Sequence, residues 1–211
     1  MDNVVKVVIE MMRFLLVFMA FFAIMNPIAN LPTYMALVAD DDQKISKRIA
    51  LKSVLLAFVI VLIFVLTGHL IFEVFGVTIA AFRVAGGVLV GLIGFHMING
   101  VHSPMNQHLS QEKSDPMDVA ISPLAMPLFA GPGTIVTAIN QSQGGLVQRL
   151  TTLVAFAVLC LMTYFILSSA KTISKLLGKN VMNIITRIMG LLLATIGIQM
   201  VLMGVKVFLK L

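Results

Sequence analysis

Apolar positions along this chain do not alternate with polar ones; they gather into six long runs, at residues 14–39, 54–73, 78–99, 119–140, 150–170 and 184–205. A helix rising 1.5 Å per residue needs about 20 apolar residues to cross a hydrocarbon core about 30 Å thick. Barrel strands would alternate over segments of about ten residues, so the pattern predicts membrane-spanning helices and an all-α polytopic protein. Polar stretches join the runs: DDDQKISKR at 40–48, NGVHSPMNQHLSQEKSD at 99–115, NQSQGG at 140–145 and KTISKLLGKN at 171–180. None has room for a soluble domain. The first run is too long for a secretory signal, lacks a small-residue cleavage pattern and leads into NPIANLP, so it is expected to stay in the protein.

Composition agrees with a lipid solvent. Of 211 residues, 59% are hydrophobic and 11% charged, and the mean hydropathy is +1.04; a soluble domain carries about 25% charged residues. The lone Cys160 excludes a disulfide framework, a CxxC redox pair and a thiolate metal cluster, and no cofactor or metal site is expected. A net charge of +6 could suggest nucleic acid, but the 15 Lys and Arg flank the apolar runs, where they orient membrane proteins. Nine of them (Lys44, Lys47, Arg48, Lys52, Lys113, Lys171, Lys175, Lys179 and Arg187) fall to one side of the predicted membrane, which places both termini outside the cytoplasm.

The chain repeats itself. A shift of 100 residues lays Pro27 on Pro127 and Pro32 on Pro132, and FRVAGGVLVGLIGFHM (82–97) answers ITRIMGLLLATIGIQM (185–200) across a one-residue gap. Residues 1–100 and 117–211 then form two three-helix halves joined by a polar linker at 101–116. An odd number of spans per half makes the second copy inverted, an arrangement found in secondary transporters, whose sites lie at mid-membrane where the repeats meet.

Chemistry is expected where span physics is violated. Asn26, Pro27, Asn30 and Pro32 lie near the centre of the first run, and Pro123, Pro127, Gly131, Pro132 and Gly133 near the centre of the fourth. Interior proline removes a backbone donor and obstructs the preceding turn at about 3 kcal/mol or more, so both helices are predicted to break at mid-membrane. Freed backbone groups in a span are tolerated only within protein or beside a wet cavity, where they become ligands. Asn26 and Asn30 would add amides, and Ser122, Thr134 and Thr137 hydroxyls. Glu10, Glu73, Asp115 and Asp118 fall at or beyond span ends, and with no acid at mid-depth a neutral zwitterion is favoured over a dication. His96 matches Gln199 in the other half; an interhelical hydrogen bond and a proton- or ion-coupling role are both open to the pair. Arg83 and Arg187 begin the third and sixth runs, where they can snorkel or support the breaks. Gly87 with Gly91, and Gly190 with Ala194, read as close helix packing.

NPIANLP, PLAMPLFAGPGT, FRVAGG and TRIMGLLL, in this order and spacing, resemble the MarC family of integral membrane proteins, grouped with the LysE-type exporter superfamily. The resemblance covers the whole chain. It implies a multi-pass protein of the bacterial inner membrane that moves a small solute, most simply a small neutral amino acid such as glycine or alanine, with a proton or sodium as coupling ion. Carried across position by position, it puts Asn26, Pro27, Pro32, Pro127, Gly131, Pro132 and Gly133 in the substrate region. Some relatives carry Asp where this chain has Asn26, which weakens carboxylate-based proton coupling here. Two alternatives stand: an aquaporin-like or other small-solute channel, although the breaks fall in the first and fourth spans rather than in re-entrant loops, and an exporter of another metabolite. An intramembrane enzyme is not expected, because Ser122 and His96 have no acid to orient them.

Overall fold

A computed structural model describes residues 2–38, 41–68, 70–99, 124–125 and 129–209, and among these every regular element is helical. The helices are α1 (Asp2–Met25), α2 (Leu31–Leu37), α3 (Gln43–Thr67), α4 (Leu70–Val74), α5 (Ile79–Asn99), α6 (Pro132–Gln141), α7 (Leu146–Ser168) and α8 (Ala170–Phe208). Among the described residues, five segments are long and apolar enough to cross a membrane: Val7–Met25, Gln43–Thr67, Ile79–Asn99, Leu146–Ser168 and Asn183–Phe208. The fourth apolar run is seen as the ten-residue α6 and the turn before it; most of its first half, with Ser122 and Pro127, lies outside the described residues.

Two polar connectors are shorter than the pattern suggests. Helix α3 already begins at Gln43, within the expected 40–48 loop. The 171–180 stretch is helical in α8, interrupted only at Gly178, whose φ of 70° a side chain would strain. With no proline in it, the stretch is helical on both sides of the kink at Gly178.

Helices α3 and α7 run antiparallel at the centre of the body. The buried positions 50, 53, 54, 57, 61 and 65 of α3 recur 102 residues later as 152, 155, 156, 159, 163 and 167 of α7. Phe156 of α7 lies 5.0 Å from Phe21 of α1 and 6.4 Å from Phe58 of α3, ring centre to ring centre. Buried hydroxyls in these helices turn inward onto their own backbone: Ser53 donates to Ile49, Thr152 to Gln148 and Thr163 to Leu159, each to the carbonyl four residues back.

The tightest pairing joins α5 to α8, also antiparallel, through glycine. A Cβ on Gly87 would come 2.6 Å from the Gly197 carbonyl oxygen, and one on Gly94 would come 2.6 Å from that of Gly190. Moved along by 103 residues, each of these contacts becomes the other. Lipid tails are as apolar as leucine, so close backbone approach supplies the attraction that water would otherwise provide. The outer faces agree: Leu16, Leu161, Phe165 and Leu202 are more than half exposed, as suits side chains that meet acyl chains.

Candidate functional site

Pro27 has no N–H to extend α1, and the helix stops at Met25. Asn26 then takes φ +44°, the one positive value at a non-glycine among the described residues, which asparagine tolerates better than most. Its side-chain oxygen accepts from the Ala29 N–H at 3.3 Å, closing a local turn. Asn30 donates from Nδ2 to the Met25 carbonyl at 2.7 Å, satisfying one of the acceptors that a helix end leaves open. Asn26 and Asn30 are both buried, and α2 restarts at Leu31 with Pro32 in its first turn.

The second motif is built differently. Ala130 donates to the Ala125 carbonyl five residues back, at 2.8 Å, a widened turn that ends in the extended Gly131. Pro132 then opens α6, the first turn being where proline is best tolerated. Helix α6 packs against α5 and α3, and Gly86 meets Pro132 so closely that a Cβ there would lie 2.7 Å from the proline Cβ.

These motifs share one buried cavity of about 30 Å³, lined by Ile24, Asn30, Val90, Ile93, Gly131, Gly133, Thr134 and Leu193. Its polar wall is the Asn30 amide on one side and the start of α6 on the other, where the first N–H groups of a helix present partial positive charge. Thr134 is 1% exposed. A side chain at Gly133 would be crowded: a Cβ would stand 3.0 Å from Ile24 Cγ2 and 3.3 Å from Val90 Cγ2, so those side chains would have to give way. The volume holds one water, for which about 15 Å³ is enough.

Two larger cavities flank this centre. One of about 450 Å³ lies between the end of α3 and the start of α7, lined by Val65, Thr67, Gly68, Glu73, Ser142 and Arg149 among others. The other, of about 210 Å³, lies between the start of α3 and the end of α7, and its walls include Tyr34, Ser46, Lys47, Leu167, Ser168 and Lys171. Lys47 and Val65 are about 27 Å apart along α3 at 1.5 Å per residue, so the cavities sit at opposite ends of the helix pair. Val65 and Leu167, Gly68 and Ala170, and Lys47 and Arg149 occupy corresponding walls, each pair separated by the 102 residues that relate α3 to α7.

Of the residues singled out from sequence, Asn30, Gly131, Gly133 and Thr134 therefore meet at one place. Asn26 and Pro27 are buried but do not line that cavity, and Pro132 sets the start of α6 against Gly86. His96 is half-buried with its ring against Phe95, and Gln199 is exposed on α8; neither lines the central cavity. With Gly87 level with Gly197 and Gly94 level with Gly190, His96 and Gln199 lie about 16 Å apart along the helix pair. Arg83 is half-buried and Arg187 exposed. Ile24, Val90, Ile93 and Leu193 escaped the sequence reading, because an aliphatic residue within an apolar run carries no mark of what it faces. Among the described residues, no group of three or more His, Cys, Asp or Glu could hold a metal.

The family model for MarC family integral membrane proteins matches residues 11–209. The chain is 35% identical over 195 residues to the UPF0056 membrane protein YvbG of Bacillus subtilis, covering 90% of this chain and 92% of that one. It is also 35% identical to the UPF0056 membrane protein PH0760 of Pyrococcus horikoshii over 196 residues, covering 92% and 94%. For the UPF0056 membrane protein YhcE of Escherichia coli the identity is 32% over 194 residues, 90% of each chain. No solved structure matches.

Proposed function

The chain belongs to the MarC family of integral membrane proteins, and from that premise we propose that it is a secondary active transporter of a small solute, bound where the two proline-containing motifs meet. The observation that carries this reading is the shared central cavity, in which the Asn30 amide from the first motif faces Gly131, Gly133 and Thr134 from the second. An amide and a helix start offer acceptor and donor chemistry to a solute with both an ammonium and a carboxylate group. A small neutral amino acid such as glycine or alanine fits that chemistry, with a proton or sodium gradient as the driving force and no enzymatic step. Residence in the bacterial inner membrane, non-cytoplasmic termini and kinship with the LysE-type exporters are parts of the same proposal.

The topology proposed is six spans in two inverted three-helix halves, the first and fourth broken. Three features support it: the 102-residue recurrence of buried positions in α3 and α7, the reciprocal glycine contacts of α5 and α8, and the corresponding cavities at opposite ends. A cavity of about 30 Å³ is too small for any amino acid, so this is a closed conformation. Opening then consists of joining the centre to one end cavity at a time.

The test is uptake of radiolabelled glycine and alanine by purified protein in liposomes, with proton and sodium gradients imposed separately. The expected result is saturable uptake driven by one gradient and lost in Asn30→Ala. Flux that neither saturates nor responds to either gradient would establish a channel instead. Absence of uptake for both solutes under every gradient would refute the amino-acid reading.

A further inference from the structure

The 210 Å³ cavity at the 41–47 end holds chemistry that its counterpart lacks, and that the transport reading does not use. Ser168 lines it, and its Oγ is buried with no hydrogen-bond partner among the described residues. This departs from the local rule. Ser53, Thr67, Thr151, Thr152, Thr163 and Thr195 all donate to the carbonyl four residues back, whereas Ser168, at the last position of α7, does not. Leaving a buried hydroxyl unpaired is costly, so such a group marks a place where a partner belongs.

The surrounding charge says what kind of partner. Among the described residues, Lys47 and Lys171 line the cavity and no Asp or Glu does, while the Asp41 carboxylate lies close enough to act on Tyr34 in the same wall. Lys171 reaches only the backbone carbonyl of Asp41, at a long 3.4 Å, and keeps two further N–H donors. Two other hydroxyls of this wall are engaged, Tyr34 donating to the Ser46 carbonyl at 2.8 Å and Ser46 to the Asp42 carbonyl at 3.0 Å, while Thr172 adds an exposed one. At the opposite end of the body Arg149 answers Lys47, but Glu73 shares that cavity, and the position answering Ser168 is the lipid-facing Leu66. Thr67 and Ser142 in that cavity are both bonded to their own backbone, so the two lysines with an unengaged buried hydroxyl are particular to the 41–47 end.

We infer that this cavity is a binding site for a small oxyanion, a phosphate or carboxylate group, held by the Lys47 and Lys171 ammonium groups and the Ser168 hydroxyl. Lysine binds such groups as a point charge, and a hydroxyl donating to an anion makes the stronger class of hydrogen bond. The group can belong to an anionic lipid, whose headgroup can occupy a basic pocket between helices, or to a solute in the aqueous phase. The site does not depend on the transport reading, since it is defined by binding alone.

The experiment is a thermal-unfolding titration of the purified full-length protein in detergent micelles, with phosphatidylglycerol, inorganic phosphate or acetate as probe and sodium chloride matching the ionic strength. A saturable rise in unfolding temperature is expected. It weakens at least tenfold in apparent affinity in Lys47→Gln/Lys171→Gln and about tenfold in Ser168→Ala, and changes less than twofold in Arg149→Gln at the other end. Without probe, Ser168→Ala is expected to unfold at no lower temperature than the parent, which separates a ligand-binding hydroxyl from a structural one. Response to phosphatidylglycerol alone assigns a lipid headgroup, and response to phosphate or acetate in phosphatidylcholine micelles assigns a soluble oxyanion. No saturable response to any probe, or a response that survives the double lysine variant, overturns the inference.

Discussion

Gly87 and Gly91 form a GxxxG pair that sequence alone treats as equivalent, yet alanine at the two positions is predicted to act oppositely. A Cβ on Gly87 would meet the Gly197 carbonyl oxygen at 2.6 Å and the Val201 backbone nitrogen at 2.9 Å. Ordinary contact begins near 3.4 Å, so α5 and α8 must part by about 0.8 Å at that level. Both obstacles are main chain and cannot rotate aside. Overpacking of this kind costs about 1–3 kcal/mol, against a gain of roughly 0.5–1 kcal/mol for replacing a helical glycine, leaving Gly87→Ala about 1–2 kcal/mol less stable. A Cβ on Gly91 meets nothing nearer than the Gly197 Cα at 4.0 Å, so Gly91→Ala keeps the helix gain without the clash and is as stable as the parent or slightly more so. At roughly 2–4 °C per kcal/mol for a chain of this size, the two variants should differ in Tm by about 4 °C or more. Thermal unfolding in one detergent, on monodisperse samples, reads the difference directly. Equal midpoints for the two variants would refute the close approach of α5 and α8.

Gly133→Ala places a methyl 3.0 Å from Ile24 Cγ2 beside the central cavity, where the neighbours are side chains that can yield; reconstituted uptake should fall at least tenfold while Tm changes by less than about 3 °C. Asn26→Gly keeps the φ of +44° but loses the 3.3 Å bond to the Ala29 N–H, giving a change within about 1 kcal/mol, whereas the β-branched Asn26→Val should cost about 2 kcal/mol or more. Denaturation of the pair side by side checks the order. His96→Gln should leave the pH profile of uptake unchanged, because His96 packs on Phe95 and does not line the cavity; a flattened profile would restore it to the coupling path.

What was legible in sequence was local. Pro27 ends α1 and Pro132 begins α6 through their own backbone geometry, so the places where the chain leaves and enters helix could be read without knowing any neighbour. Long apolar runs likewise announce spans. Their ends were less visible, because Lys44, Lys47 and Lys52 are helix-compatible residues that only look like a loop when polarity is equated with irregularity. The match of His96 with Gln199 carried no information about distance: positions equivalent in a repeat need not share a location, and in an antiparallel pair they lie apart unless they are near its middle. Ser168 was invisible because its interest lies in a bond it does not make.

The glycine seam has a consequence for the order of synthesis. Its two faces are separated by about 100 residues of chain, and translation proceeds at about 5–20 residues per second, so α8 leaves the ribosome roughly 5–20 s after α5. Throughout that interval the Gly87, Gly91 and Gly94 face of α5 has no α8 to meet and lies open to lipid or to a neighbouring nascent chain. The step most vulnerable to misassembly is therefore the wait for the last helix, and a chain truncated before α8 would present the surface that membrane quality control has most reason to recognise.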